Sequence, residues 1–352
     1  MRQAHFEAFQ PVCPACLRRG LEAPLRLDAG AQEDARGIHA GVLRCTAPDC
    51  SQAYPILDGA PILVPDLPAW LASNGHLLLQ RHALPDPVED LIAAALGPDA
   101  AYNVIRHQQA SYAHDHYGDL TSSGDQGEPG LGAAPGAVRR CLATALARLP
   151  APHGPVLDIG CAVGRTSFDL AAATGGLVLG IDLNWPLLTI GRGVIDQGEL
   201  SYPHRRLGLH FERRRQSVAL PGAERVDFWV ADALALPFRG ASMAMGMAMN
   251  VLDCVSDPAR LLWEMTRVLA AGGGAAVVTP FDWASHATPP GAWIDGPVAL
   301  AALLAQVNTG TERSGLGALL PTGPGVEVDW QVRLHDRASM QYAAHMLTAV
   351  HS

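Results

Sequence analysis

Two groups of residues in the chain have types and spacings that could do chemistry. Four cysteines fall in two pairs, Cys13-Pro14-Ala15-Cys16 and Cys45-Thr46-Ala47-Pro48-Asp49-Cys50. Each tight turn can aim two thiolates at one point, and four sulfurs around a point make a closed tetrahedral cage of the kind zinc takes in structural sites. Cys13, Cys16, Cys45 and Cys50 are therefore expected to hold Zn2+ for folding and docking, with no coordination position left for catalysis. The second group is three acids, each at the end of a short apolar run. Asp158 lies in Val156-Leu157-Asp158-Ile159-Gly160-Cys161-Ala162-Val163-Gly164-Arg165, Asp182 in Gly180-Ile181-Asp182-Leu183, and Asp232 in Val230-Ala231-Asp232-Ala233-Leu234. Gly160 and Gly164 let the backbone approach a ligand closely. A carboxylate about twenty residues after such a turn can accept both hydroxyls of a ribose, and Asp232 is spaced to accept from an adenine amino group.

These acids need strands that end side by side. Apolar runs at Val156 to Ile159, Leu177 to Ile181, Val226 to Val230, Met245 to Val251 and Ala275 to Thr279 read as buried strands. Helical patterns at Arg139 to Leu149, Thr166 to Ala173 and Pro258 to Leu269 alternate with them, which implies parallel pairing in a doubly wound α/β sheet. The methionines at 243, 245, 247 and 249 then fill core. Before this sheet, Tyr54 to Val64 reads as a hairpin around Asp58-Gly59. Helices are expected within Pro65 to Tyr117, and Asp119 to Gly136 reads as a flexible glycine-rich loop. The organisation is thus a small metal-binding unit over 1–66, a helical connector and loop over 67–136, and the α/β unit over 137–352. In the connector, Tyr112 and His116 share a helix face. They fit a lid that carries a general base, and equally a packed aromatic helix end.

Composition narrows the function classes. The 352 residues are 49% hydrophobic and 17% charged, which excludes a largely disordered chain. No apolar run approaches the roughly 18 residues of a membrane span, and residues 1–10 lack a basic-then-apolar leader. Seven cysteines are too few for a disulfide framework, so a cytoplasmic, reducing setting is expected. The formal charge is -9 and every one of the 25 basic Lys+Arg side chains is arginine, so binding to a phosphate backbone is disfavoured. The one basic cluster, Arg205, Arg206, Arg213, Arg214 and Arg215, reads first as a solvated surface.

The glycine turn with its three acids resembles the class I S-adenosylmethionine-dependent methyltransferases. The resemblance implies S-adenosyl-L-methionine as cofactor, with Gly160 and Cys161 bordering the methionine moiety, Asp182 and Leu183 the ribose, Asp232 and Ala233 the adenine, and Asp158, Gly164 and Arg165 also among the cofactor-binding residues. Residues 10–66, where cysteine pairs precede Tyr54-Pro55-Ile56-Leu57-Asp58-Gly59-Ala60-Pro61, resemble the Trm112-like zinc ribbons, small partners of methyltransferases. The string Gly160-Cys161-Ala162-Val163-Gly164-Arg165-Thr166-Ser167-Phe168 is similar to the methyltransferase domain of ovothiol-biosynthesis enzymes, which methylate a ring nitrogen of a thiolated histidine. Asn250-Val251-Leu252-Asp253-Cys254-Val255, Thr279-Pro280-Phe281-Asp282-Trp283 and Arg333-Leu334-His335-Asp336-Arg337 agree with it. On this footing Asn250 is expected to face the transferring methyl and also to touch the cofactor. Asp253 and Asp282 would orient an imidazole or cationic substrate, His116 would serve as base, Tyr117, Trp283 and Trp293 as walls, and Arg333 or Arg337 would pair a substrate carboxylate. The expected activity is methylation of a small molecule. An RNA methyltransferase and a non-catalytic docking protein built on the ribbon are the alternatives, and the oligomeric state is left open.

Overall fold

The structure is a computed structural model that describes residues 1–78, 93, 96–120 and 135–352. Five strands belong to the cysteine-bearing segment: β1 (Leu25–Leu27), β2 (Gln32–Asp34), β3 (Gly37–Cys45), β4 (Ala53–Leu57) and β5 (Ala60–Leu63). The rest of the chain adds β6 (Val156–Ile159), β7 (Val178–Asp182), β8 (Glu199–Leu207), β9 (His210–Ser217), β10 (Val226–Ala231), β11 (Met243–Met249), β12 (Leu269–Thr279), β13 (Leu319–Pro321), β14 (Val326–His335) and β15 (Ala338–His351). All four residues of β6 are buried, as a strand covered on both faces must be. The parallel order is β10-β7-β6-β11-β12, with β15 antiparallel beyond it.

Helices Arg165–Thr174, Trp185–Gln197 and Pro258–Val268 lie on the crossovers. The last begins where Asp257 accepts from the Arg260 amide at 2.9 Å with Pro258 in the first turn, a side-chain cap on a helix start that proline tolerates. The chain leaves β6 toward β7 on one side and returns to β11 on the other. A crevice therefore opens at the carboxyl ends where that order reverses. Sequence and structure agree on these strands to within a few residues, except that β12 starts at Leu269 rather than Ala275. Met243, Met245, Met247 and Met249 are all buried in the sheet.

The cysteine-bearing segment is not separate from this sheet. Asp58 and Gly59 both take left-handed φ, at 47° and 78°, which matches the primed turn that suits a two-residue hairpin. β5 then pairs in parallel with β10, Ile62 opposite Val230 and Leu63 opposite Ala231. The sheet so runs on through β5, β4, β3 and β1. Asp227 fastens the junction: it accepts from the Arg2 amide at 2.8 Å, the Trp229 indole at 3.1 Å and Arg192 at 3.2 Å. Arg192 in turn donates to the Gly59 carbonyl at 3.1 Å.

Several elements were not expected from the sequence. These are the β8–β9 hairpin, the helix Pro297–Arg313 and the strands β13 to β15; of them β14 alternates apolar and polar residues strictly, and the helix buries Leu300, Leu304 and Val307 along one face. The arginine cluster lies on the hairpin, where Arg206 pairs with Glu212 at 3.2 Å and with Asp336 at 2.5 Å. In the connector, helices occupy Leu67–Leu78 and Ala101–Tyr117. Most of the glycine-rich loop expected over 119–136 and the middle of the connector lie outside the described residues.

The Asp227–Arg192 pair is buried, and removing one partner of such a pair costs about 3–5 kcal/mol. Because Arg192 keeps Asp196 at 3.2 Å, the lower end applies: Asp227→Asn is expected to lose about 3 kcal/mol in urea unfolding. A loss under about 1 kcal/mol would show that the junction does not depend on this pair.

Candidate active site

At the carboxyl ends of β6, β7, β10 and β11 the fold encloses a cavity of about 620 Å³. Asp158, Gly160, Cys161, Asp182, Leu183, Asp232, Ala233 and Asn250 all line it. His116 lines it as well, so nine of the residues expected at the site from the sequence share this cavity. Gly160 has φ 67° and a Cβ there would overlap the Val251 side chain. Gly164 has φ 89° and a Cβ would enter the Phe228 ring. Glycine is required at both, by conformation and by space.

Ala162, between them, holds the same left-handed region at φ 51°, which costs an L-residue roughly 1–2 kcal/mol. Its amide donates to Asp182 Oδ2 at 3.0 Å, and that bond offsets the strain while fixing the carboxylate. The other Asp182 oxygen accepts from the Asn184 amide at 2.8 Å, and burial pushes its pKa up. Asp158 Oδ2 accepts from Thr166 and Ser167 hydroxyls at 2.5 and 2.6 Å. Burial still outweighs these bonds and pushes the carboxyl up to about 6. Asp232 is held by the Leu234 amide at 2.9 Å. Asn250 follows β11 with φ 54°, a conformation asparagine tolerates, and its buried Oδ1 has no hydrogen-bond partner. The Oδ1 of Asn184, also on the wall, is likewise without a partner. Buried acceptors left open at a cavity are what a ligand rich in N–H and O–H donors satisfies.

The helix Ala101–Tyr117 closes one side. Gln108, Tyr112 and His116 recur every four residues and all line the cavity. His116 Nδ1 accepts from the Arg165 amide at 3.2 Å, so the ring proton sits on Nε2. Burial, with Arg165 beside it, holds the ring down at about 3 and hence neutral at pH 7.

Other expected site residues sit elsewhere. Tyr117 is packed behind the glycine turn, donating to the Val163 carbonyl at 2.7 Å, and lines no part of the cavity. Arg165 turns away from the cavity to Asp119 at 2.9 Å, Asp169 at 3.1 Å and the His116 carbonyl at 3.0 Å. Gly164 lies behind the wall, under that same turn. Trp283 and Trp293 spend their indoles on the Ile294 and Thr288 carbonyls, at 3.3 and 2.9 Å. Arg333 is buried against His204 at 3.0 Å, the Arg205 carbonyl at 2.8 Å and Asp336, while Arg337 is exposed. Asp253 does not line the cavity but shapes it: its Oδ2 accepts from the Asp282 amide and its carbonyl from the Ala284 amide, both at 3.0 Å. The loop so held brings Ala284, His286 and Ala287 to the wall. Burial pushes Asp253 up to about 6, and Asp282 itself accepts from the Tyr342 hydroxyl at 2.9 Å.

Sequence reasoning missed Gln108, Asn184, Cys254, Ser256, His286 and Trp330 as lining residues. Gln108 was legible as the next turn of the face that carries Tyr112 and His116. Trp330 was not, because it arrives on β14.

Beside the outer strands β1 and β3, the four sulfurs of Cys13, Cys16, Cys45 and Cys50 lie within 4.8 Å of one another. Cys13 and Cys50 sulfurs are 3.9 Å apart and those of Cys16 and Cys45 3.7 Å. A tetrahedron with metal–sulfur bonds of about 2.3 Å has sulfurs about 3.8 Å apart, so the set fits a thiophilic ion. The Tyr54 hydroxyl at 3.2 Å, Arg19 at 3.1 Å and the Ala47 amide at 3.4 Å surround the sulfurs with donors, an outer shell suited to thiolates.

Residues 157–277 match the family model of a methyltransferase domain. The chain is 33% identical over 125 residues to the ubiquinone/menaquinone biosynthesis C-methyltransferase UbiE of Acidiphilium cryptum (strain JF-5), covering 35% of this chain and 41% of that protein. It is 30% identical over 122 residues to the methyltransferase GfsG of Streptomyces halstedii, covering 35% and 36%. The chain thus spans less than half the length of these curated relatives. Among solved structures, the [4+2]-cyclase SpnF aligns with TM-score 0.43 and 18% identity over 70% of this chain and 96% of that one. A SAM-dependent methyltransferase from Aquifex aeolicus aligns with TM-score 0.40 and 14% identity over 60% and 89%. The sheet order, the turn at its switch point and the matched domain together make this a class I SAM-dependent methyltransferase fold.

Proposed function

We propose that this chain transfers the methyl group of S-adenosylmethionine to a ring nitrogen of a small imidazole-bearing molecule. The observation that carries the reading is the row of Asp158, Asp182 and Asp232 at the ends of three parallel strands, all on one cavity. The bound cofactor would supply an electrophilic methyl on a sulfonium. Asp182 is suited to accept from ribose hydroxyls and Asp232 from the adenine amine. Asp158 and the Gly160–Cys161 backbone suit a methionine moiety, and the open Oδ1 of Asn250 suits a donor on the cofactor or acceptor.

An in-line displacement needs nucleophile and methyl carbon held close in a water-poor space, and little else from the protein. The cavity agrees with a nucleophile that needs no strong base. His116 is neutral with Nδ1 already engaged, and burial pushes the Cys254 thiol up to about 12. A neutral imidazole nitrogen carries its own lone pair, whereas an alcohol or ammonium must first lose a proton. This supports His116 as a donor through Nε2 that orients the acceptor, rather than as a base. The resemblance to ovothiol-type methyltransferases points to the same acceptor class, with a thiohistidine as its starting member. RNA has little to support it here, since Arg206 on the basic hairpin is already paired with acids.

We assign the four-cysteine cluster to Zn2+ with a role in folding. The ribbon-like segment, of the Trm112-like kind by resemblance, holds the outer edge of the methyltransferase sheet through β5 and β10.

Titration calorimetry with S-adenosylhomocysteine tests the first reading. The full chain is expected to bind, and Asp182→Ala and Asp232→Ala to weaken binding at least about 30-fold, roughly the loss of two charge-assisted hydrogen bonds; unaltered affinity in both variants would contradict it. For the metal, emission spectrometry should find one zinc per chain. A strong chelator should lower the melting temperature by about 5 °C or more; a metal-free chain indifferent to chelator would contradict the assignment.

A further inference from the structure

The helix Ala101–Tyr117 is bonded at two places to the turns proposed above for the cofactor. At its C-terminal end, His116 Nδ1 accepts from the Arg165 amide at 3.2 Å and the Tyr117 hydroxyl donates to the Val163 carbonyl at 2.7 Å, both at the glycine turn. Half-way along, Gln108 Oε1 accepts from Asn184 Nδ2 at 3.2 Å, and Gln109 Nε2 donates to the Pro186 carbonyl at 2.9 Å. Those partners follow directly on Asp182, the acid proposed for the ribose. One helix thus bridges the two turns between which a nucleoside would lie, and the same helix carries Tyr112 on the cavity wall.

Asn184 is the informative member. Its backbone amide donates to Asp182 Oδ1 at 2.8 Å, so the residue and the carboxylate hold one another. It stands at the N-cap of the helix Trp185–Gln197, where an asparagine ordinarily turns its Oδ1 to the first helix amides, yet it makes no such bond. The carboxamide points to Gln108 instead, and its Oδ1 is left buried on the cavity wall without a hydrogen-bond partner. Forgoing a cap and leaving an acceptor open are both costly until a donor arrives. A ribose held by Asp182, two residues away, brings hydroxyl donors to that place.

We infer that Asn184 and Gln108 are positioning residues that couple the two halves of the site. A hydroxyl of the cofactor satisfies Asn184 Oδ1, the carboxamide so fixed holds Gln108, and the helix then presents Tyr112, one turn further on, to the acceptor. The inference rests on the methyltransferase reading. The coupling is mutual, because a cofactor that steadies the helix must itself bind better when the helix is in place. Without the Asn184–Gln108 bond, filling the cofactor pocket no longer reaches the acceptor wall.

Hydrogen exchange read by mass spectrometry on the full chain, with and without saturating S-adenosylhomocysteine, tests this, because exchange in a helix reports how often it opens. In the unaltered chain the ligand is expected to slow exchange over residues 101–117 at least about fivefold, the low end of coupling between two sites. Asn184→Ala and Gln108→Leu should each cut that slowing to about twofold or less, while the ligand still protects residues 157–164. Gln108→Glu, whose carboxylate can still accept from Asn184 Nδ2, should retain it, and the two Gln108 variants suffice if Asn184→Ala does not fold. A merely structural role would change exchange with and without ligand alike and leave the ratio unmoved. No slowing in the unaltered chain, or slowing undiminished in Gln108→Leu, would overturn the inference. A chain that fails to bind S-adenosylhomocysteine strikes the methyltransferase reading and this inference together, whereas binding without slowing strikes this inference alone.

Discussion

Everything in this molecule follows from parallel strands ending side by side. A parallel sheet points its strand ends, and the polar residues that stop each apolar run, toward one edge. Where the strand order reverses at β6 and β11, the helices diverge and the edge opens. Asp158, Asp182 and Asp232 are residues that would be costly anywhere inside a core, yet each lies on the one wall where a ligand can reach it. Their local bonds are modest: hydroxyls for Asp158, backbone amides for Asp182 and Asp232. The protein keeps them in shape without neutralising them.

The supporting structure is organised around that exposure. Ala162 accepts a strained φ of 51° and is repaid by a hydrogen bond to Asp182, so the turn and the carboxylate define each other. Arg165, at the start of the next helix, leaves the cavity to secure His116 and the turn after it through Asp119. Asp253 does the same for the loop that carries His286. Five charged residues expected at the site thus split by role: Asp158, Asp182 and Asp232 at strand ends face the cavity, while Arg165 and Asp253 hold what faces it.

How much of this was legible depended on whether the signal was local. The β6, β7 and β10 acids, the glycine turn and the cysteine pairs are short motifs whose chemistry is carried by neighbours in sequence, and they were found. The Asp58-Gly59 hairpin was found for the same reason. What could not be read was long-range: that β5 would pair with β10, that β14 would bring Trp330 to the wall, and that Asp336 would claim Arg333. The aromatics Tyr117 and Trp283 were read as walls because their type suits a pocket, but which face of an element points inward is decided by packing partners far along the chain. Of the unexpected elements, the β8–β9 hairpin mixes polar and apolar residues too irregularly for a period to show, whereas β14 alternates strictly from Val326 to His335, so its existence as a strand was legible and its pairing with β15 was not.

A crystal structure of the chain grown with S-adenosylhomocysteine would bear most directly on the strand-end carboxylates. The ribose should sit on Asp182, the adenine amine within hydrogen-bond reach of Asp232, and the sulfur toward Asn250 and the cavity space between Tyr112 and Trp330. A nucleoside bound away from these acids, or density confined to another surface with the cavity vacant, would contradict the account.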